Sequence, residues 1–223
     1  NLALALRAEP ALPRLLRRLV IMGGAFDYRG NTTPVAEWNI SVDPESAAEV
    51  FAAWGTAWGD QDPDHLPIVL GLNITEHIAL TPAILARLAA AAGSPTSAMS
   101  VADVRGTRSA AANPLIGMLE DAMRFYFEFH HDQGEGYLAH LHDPLAAAVA
   151  LDPGLVRTRA CTVDVELDGA LTRGMTVADW SGHWGRRPNA LIGTETDPAV
   201  FFDRFVDRVG RFARESEATS DYS

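Results

Sequence analysis

Short polar side chains cluster just after the first apolar run of the chain. Asn31, Glu37 and Asn39 follow the run over residues 19–22, which ends in two consecutive glycines. Amide groups both donate and accept hydrogen bonds, and a carboxylate accepts them. Because ligands of open α/β sheets bind beyond the carboxyl ends of the strands, these three residues predict a site for a polyhydroxylated ligand such as a sugar.

Each of the three residues also has a purely structural explanation. Asn31 follows Gly30, as a turn residue would, and Glu37 and Asn39 could cap a following helix. Taken singly, each residue favours the structural explanation. Their occurrence together in one short segment favours a binding site.

A second reactive segment contains His140, His142 and Asp143, followed by Pro144. An unperturbed imidazole has a pKa of about 6.5, so His142 could donate a proton near neutral pH, or simply bond a backbone carbonyl. Asp before Pro at the start of an Ala- and Leu-rich stretch predicts a helix N-cap, which by itself explains Asp143. His140 and His142 also form an H-x-H pair that zinc could use, although no further His or Cys accompanies them at ligand spacing.

The elements around these segments predict an α/β fold with a mostly parallel, open sheet and flanking helices. Apolar runs over residues 15–22 and 67–72 predict buried strands. Alternation over residues 158–167 and a short run at 189–193 predict late strands that form an antiparallel edge. Helical spacing of apolar residues recurs in six stretches: 1–8, 45–54, 82–92, 113–129, 145–151 and from 197 onwards.

Length and composition restrict the class of protein. The length predicts one domain over residues 1–214, and the polar composition of residues 215–223 predicts a tail. The net charge of −11 argues against a nucleic-acid partner, and no apolar run approaches the length of a bilayer. All 18 basic residues are Arg, which excludes lysine-dependent P-loop and Schiff-base chemistry. The single Cys161 suits a reducing cytoplasm, and no secretory signal is visible.

The two polar segments, in this order, resemble the nucleoside hydrolases, the inosine-uridine-preferring N-ribohydrolases. The resemblance is carried by Met22-Gly23-Gly24, Gly30-Asn31, Ala36-Glu37-Trp38-Asn39, Asp43-Pro44 and His140-Leu141-His142-Asp143. It continues more weakly from Asn1 to about Arg214. It implies the α/β fold of that family, truncated at the N-terminus.

The resemblance implies an enzyme of purine and pyrimidine salvage that hydrolyses ribonucleosides to ribose and free base. It implies that Met22, Asn31, Glu37 and Asn39 bind the ribose. Family members are commonly homodimers or homotetramers.

The resemblance also assigns roles outside the ribose segment. His142 would protonate the leaving base, and Asp143 would bind Ca²⁺. An aromatic residue of the 113–129 helix, Tyr126 or Phe129, would stack on the base, although these aromatics could equally cover a neighbouring helix or a subunit interface.

The chain departs from the family in its carboxylates. The family takes its remaining calcium carboxylates and its water-activating aspartate from an Asp-rich motif near the N-terminus, and a further ligand from a threonine carbonyl just before the residue that matches Asn1. None of the 223 residues form such a motif. Asp60, Asp62 and Asp64 come closest, in a Pro-interrupted loop. We therefore expect the C-terminal portion of a nucleoside hydrolase, inactive or nearly so by itself and without retained Ca²⁺. The alternative is a non-catalytic nucleoside- or pentose-binding remnant.

Overall fold

The computed structural model describes residues 1–58 and 63–220, with side chains described as far as residue 216. The chain divides into two compact units. The first unit combines Asn1–His77 with His142–Thr196, and the second combines Ile78–Leu141 with Asp197–Ser223. The chain therefore enters the second unit twice, first at Ile78 and again at Asp197.

The first unit contains a five-stranded sheet. Its strands are β1 (Val20–Met22), β2 (Ile68–Leu70), β5 (Val156–Val165), β6 (Thr176–Asp179) and β7 (Ala190–Thr196), in the order β1-β2-β7-β5-β6. The first three strands of that order are parallel, whereas β5 is antiparallel to both of its neighbours. Four strands thus share one direction, which confirms the predicted α/β fold with late antiparallel pairing.

The helices are α1 (Leu2–Ala8), α2 (Leu12–Leu15), α3 (Trp38–Val42), α4 (Pro44–Trp58), α5 (Leu72–Thr75), α6 (Pro82–Ala91), α7 (Pro114–Asp132), α8 (His142–Leu151) and α9 (Pro198–Ser220). Short 3-10 turns cover Pro63–His65 and Pro153–Leu155. Within residues 1–58 and 63–220, every helix is too short or too polar to cross a bilayer.

The core of the first unit lies between the sheet and α4. Phe51 of α4 packs with Val69 of β2, Val163 of β5 and Ile192 of β7, all of them buried. Trp54, one helical turn further along α4, packs instead with residues of α1. The helical spacing of these apolar residues lets one helix cover both the sheet and α1.

Three boundaries differ from the sequence prediction. The predicted strand over residues 15–22 is limited to β1, because Pro13 lies in the first turn of a short helix. Residues 38–42 form α3 although they lack an extended helical pattern, because the Glu37 side chain caps them. Helix α9 continues through residues 215–220, predicted as part of a tail, and residues 221–223 lie outside the described part of the chain.

The second unit combines three helices with a short antiparallel pair, β3 (Ala79–Leu80) and β4 (Ala139–His140). Asn113 joins two of the helices. Its Oδ1 caps α7 by accepting from two backbone N–H groups, and its Nδ2 donates to the Ala213 carbonyl of α9 at 2.9 Å. Phe201 and Phe202 of α9 and Phe127 of α7 are buried.

Candidate functional site

The Glu37 carboxylate is buried and accepts three backbone hydrogen bonds. Its Oε1 accepts from Asn39 N at 2.8 Å, and its Oε2 accepts from Ile40 N at 3.1 Å and Gly24 N at 3.0 Å. The first two bonds cap α3, and the third fastens the loop after β1 to that cap. Glu37 therefore has the structural role that the sequence offered as an alternative, and its contact with a sugar stays a prediction.

Two glycines allow the backbone to form this loop. Gly24 has φ +86°, a conformation that favours glycine. At Gly30, a Cβ atom would collide with backbone atoms of Thr33 and Ala36, because the loop folds tightly back on itself. We call residues 22–39 the polar segment.

The other predicted ribose ligands hold the polar segment together. Asn39 is exposed, and its Nδ2 donates to the Met22 carbonyl at 3.4 Å and contacts the Met22 sulfur at 3.2 Å. The Oδ1 of Asn31 accepts from Trp38 N at 2.9 Å. The structure thus pairs Met22 with Asn39. Asn31 and Glu37 accept from the consecutive backbone N–H groups of Trp38 and Asn39. Their contacts with a sugar stay predictions.

Asn39 also lines a pocket of about 220 Å³ beside α1, β1, α3 and α4. The polar residues of its wall are Asn1, Asn39, Asp43 and Ser46. The hydroxyl and backbone N–H of Ser46 both donate to Asp43, at 2.7 and 3.0 Å, and these bonds hold the pKa of the Asp43 carboxyl below its ordinary value. The other members of the predicted site, including Glu37, are absent from the described lining of this pocket.

His142 is half-buried at the start of α8, and its Nδ1 lies 2.8 Å from the Oγ1 of Thr75. Thr75 is fully buried at the end of α5, the short helix that follows β2. At the other end of α5, Leu72 N donates to the Gly24 carbonyl at 2.9 Å. Because β1 and β2 are parallel neighbours, His142 and the polar segment are tied together through α5 at the carboxyl ends of these strands.

Thr75 was not predicted from the sequence. Its signal is a small polar residue shortly after a buried strand, at the sheet edge where α/β proteins place their ligands.

Asp143 is exposed in the first turn of α8, where the helix dipole favours a negative charge. The helix begins at His142, one residue before Asp143, so the predicted N-cap position of the aspartate is wrong. The assignment of Asp143 as a metal ligand stays a prediction.

The donors around Asp143 do not by themselves form a calcium site. Calcium takes about six to eight oxygen ligands. Within the described ranges, Asp143 belongs to no group of three His, Cys, Asp or Glu side chains that could hold a metal. Asp60, Asp62 and Asp64 form the acidic stretch of the sequence that most resembles the family motif. Asp64 is exposed, and Asp60 and Asp62 lie outside the described residues.

Tyr126 lies on α7, in the second unit. Its ring packs on the ring of His130, with centroids 4.4 Å apart. Its neighbours on the helix differ in exposure: Phe127 is buried, whereas Phe125 and Phe129 are exposed. Phe125 and Phe129 thus point away from the core, and the stacking of Tyr126 on a base stays a prediction.

His140 belongs to a group with His130 and Glu135, and His142 is not a member of that group. The sequence analysis considered His140 only together with His142, whereas the structure groups His140 with His130 and Glu135. The missed signal is the spacing H-x4-E-x4-H across a turn that contains Gly134 and Gly136.

Comparisons with known proteins identify the family of the chain. A family model described as inosine-uridine preferring nucleoside hydrolase matches residues 1–203. The pyrimidine-specific ribonucleoside hydrolases RihA of Salmonella paratyphi A and Escherichia coli O9:H4 are each 34% identical to the chain over 215 residues, which cover 96% of this chain and 59% of each relative.

Solved structures give the same result. The purine-preferring ribonucleoside hydrolase from Gardnerella vaginalis superposes with a TM-score of 0.75 at 26% identity, over 96% of this chain and 58% of that chain. The chain therefore spans about three-fifths of the length of the curated relatives that it matches. With the family model matched from residue 1 to residue 203, the chain belongs to the inosine-uridine preferring nucleoside hydrolase family.

Proposed function

We propose that the whole protein hydrolyses the N-glycosidic bond of ribonucleosides, releasing ribose and the free base. Family membership supports this reaction class. The observation that carries the proposal is the link between His142 and the polar segment: His142 contacts Thr75 on α5, and α5 bonds Gly24, which Glu37 holds in place.

The ribose would be held by side chains of the polar segment. A carboxylate offers about four lone-pair positions. Because backbone N–H groups take three of them in Glu37, one position on Oε1 remains to accept from a ribose hydroxyl. Asn31 would donate through Nδ2, since its Oδ1 already accepts from Trp38 N. Asn39 and Met22, which contact each other, would complete the contacts with the sugar.

His142 would act as the general acid. As the bond between C1′ and the base nitrogen breaks, its electron pair leaves with the base, and a proton from the imidazole neutralises that base. Water adds its oxygen to C1′ and releases its proton to the solvent, and His142 takes up a proton from the solvent for the next turnover. Hydrogen bonds from the polar segment that strengthen as positive charge develops on the ribose ring lower the barrier.

The base would stack on Tyr126, whose packing on His130 fixes its ring. Asp143 would contribute one oxygen to a bound Ca²⁺ in the whole protein. The described residues around Asp143 do not supply the other ligands that Ca²⁺ needs.

The 223-residue chain by itself would be inactive or nearly so and would not retain Ca²⁺. Incubation of the whole protein and of this chain with inosine and uridine, followed by a reducing-sugar assay, tests both statements. The whole protein is expected to release ribose from at least one nucleoside, and calorimetry of the chain with CaCl₂ is expected to give no stoichiometric binding. Release of no sugar by the calcium-supplemented whole protein would overturn the proposed reaction.

A non-catalytic pentose- or nucleoside-binding role is the second candidate. It is favoured by a polar segment that is fully assembled although, in the part of the chain that the structure describes, no metal group includes Asp143. It predicts that ribose binds the chain at millimolar concentration and is not turned over by the whole protein. Absence of heat on titration with ribose would count against it.

We also propose a cytoplasmic homodimer or homotetramer that acts on ribonucleosides, with neither a nucleic acid nor a membrane as partner. The net charge of −11 and the lone Cys161 support the partner class and the compartment. The exposed Phe125 and Phe129 on α7 support association between copies. Light scattering of the purified protein gives the oligomeric state directly.

A further inference from the structure

We propose that His130, Glu135 and His140 bind a divalent transition-metal ion, with Zn²⁺ as the best-suited metal. Each residue offers one ligand atom, and the three atoms lie within 4.8 Å of one another. The Nε2 of His130 is 3.5 Å from the Oε2 of Glu135. In a tetrahedral zinc site with bonds of about 2.0–2.1 Å, neighbouring ligand atoms are roughly 3.4 Å apart, so this pair already has the required spacing.

The turn between the ligands is fixed by the backbone. Glu135 N donates to the His130 carbonyl at 3.0 Å, and Gly134 N donates to the His131 carbonyl at 3.0 Å, closing the end of α7. Gly134 and Gly136 both have positive φ, which allows the chain to turn back toward the helix. Glu135 is therefore placed beside His130 by the backbone, independently of any ion.

His130 is oriented as a metal ligand usually is. The Nδ1 of His130 lies 3.1 Å from the Tyr126 carbonyl, so Nδ1–H donates to that oxygen and leaves Nε2 for the metal. A backbone carbonyl at the second imidazole nitrogen is a common feature of metal-bound histidines, because it fixes the tautomer and the ring plane. His130 is 5% exposed, which limits competition from water.

The ligand set selects the metal. Two imidazoles and one carboxylate suit zinc better than calcium or magnesium, which prefer all-oxygen sites. Three protein ligands leave a fourth position that water can occupy. Since His130 lies on α7, Glu135 in the following turn and His140 on β4, the ion would join the end of α7 to β4.

The group of His130, Glu135 and His140 is separate from the calcium site that the family resemblance implies, and it is separate from His142, the proposed acid. It lies within the second unit, and neither His142 nor Asp143 belongs to it. The alternative is an ion pair between protonated His130 and Glu135, combined with packing of the His130 and His140 rings, whose centroids are 5.1 Å apart. That arrangement would need no metal.

Zinc titration tests the proposal. The purified protein is freed of metal with a chelator and titrated with ZnCl₂ in a calorimeter. One Zn²⁺ per chain is expected, and H140Q or E135Q should weaken binding by about 10- to 100-fold or more, at least as much as loss of an outer-shell partner. The matched controls are H131Q and E128Q, which alter neighbouring residues of α7 outside the group and should leave the affinity unchanged.

Two readouts separate loss of a ligand from loss of folding. The metal-free variants should give the same far-UV circular dichroism as the metal-free parent, and Zn²⁺ should raise the melting temperature of the parent, H131Q and E128Q but not of H140Q or E135Q. Co²⁺ in place of Zn²⁺ should give the visible absorption of a four-coordinate site, lost in H140Q. Absence of stoichiometric zinc in the parent, or equal affinity in the parent, E135Q and H140Q, would overturn the proposal.

Discussion

Glu37 shows how one buried carboxylate can organise a whole loop. Its side chain is 2% exposed and its two oxygens receive N–H groups from both ends of the polar segment. Bonds from N–H groups to a buried carboxylate compensate the loss of hydration that an isolated charge would suffer. The carboxylate therefore holds Gly24 and the first turn of α3 together within the polar segment.

Replacement of this carboxylate by an amide should destabilise the protein. In E37Q one oxygen becomes an NH₂ group, which cannot accept, so at least one backbone N–H is left buried without a partner. The expected loss is about 1–3 kcal/mol in the free energy of unfolding, measured by urea denaturation. E45Q, which alters an exposed glutamate paired with Arg173, is the control and should have a small effect. Equal stability of E37Q and its parent would contradict the capping geometry.

Cys161 illustrates a residue whose chemistry is suppressed by packing. It is buried in the sheet core, and desolvation raises the pKa of its thiol. Because the thiolate is the reactive form, the native protein should react slowly with a thiol reagent at pH 8 and rapidly once unfolded in urea. Fast stoichiometric modification of the native protein would show that this face of the sheet opens readily.

At the scale of elements, the start of α4 depends on a local cap. Asp43 precedes the helix and accepts from the Ser46 hydroxyl and backbone N–H, while Pro44 occupies the first helical position. Such a cap fixes where the helix starts. Because α4 covers the sheet and α1, its start also fixes the wall of the pocket next to Asn39.

The cap makes a pH-dependent contribution to stability. The bonds from Ser46 lower the pKa of Asp43 in the folded state, so the ionised form stabilises the fold above the unfolded pKa of about 3.9, and this contribution is lost as the pH falls through the lower folded value. D43N keeps a capping side chain but removes the charge. Its stability deficit, measured by urea denaturation, should be largest near pH 7 and shrink toward about pH 2–3. S46A should reduce the pH dependence, and a deficit that is constant with pH would exclude this role.

At the scale of the whole molecule, the chain forms two units, and each unit is built from two separate stretches of the sequence. The apolar runs at β2 and the alternation at β5 predicted the sheet, because buried strands leave a strong local signal. The polar segment and His142 could be recognised from the sequence because the types and the order of their residues form local motifs. These two groups now lie on elements joined by hydrogen bonds through α5.

The features that were missed depend on contacts between distant residues. Thr75 was not recognised because its partner, His142, lies 67 positions away. The group of His130, Glu135 and His140 needs a helix end, a turn and a strand to be arranged together, which helical periodicity does not report. Helix α3 was missed because a capping side chain, rather than an apolar pattern, determines it.

The most direct test of the account compares H142A with its parent on two substrates in the whole protein. Inosine or uridine requires protonation of the departing base, whereas the nitrophenolate of a p-nitrophenyl riboside leaves without a proton. H142A should therefore lower kcat/KM for the nucleoside by about 10²–10⁴-fold and leave that for the nitrophenyl riboside nearly unchanged, with H77A, at an exposed histidine, as the control. Equal losses on both substrates, or no loss on the nucleoside, would contradict the role of His142 as the acid.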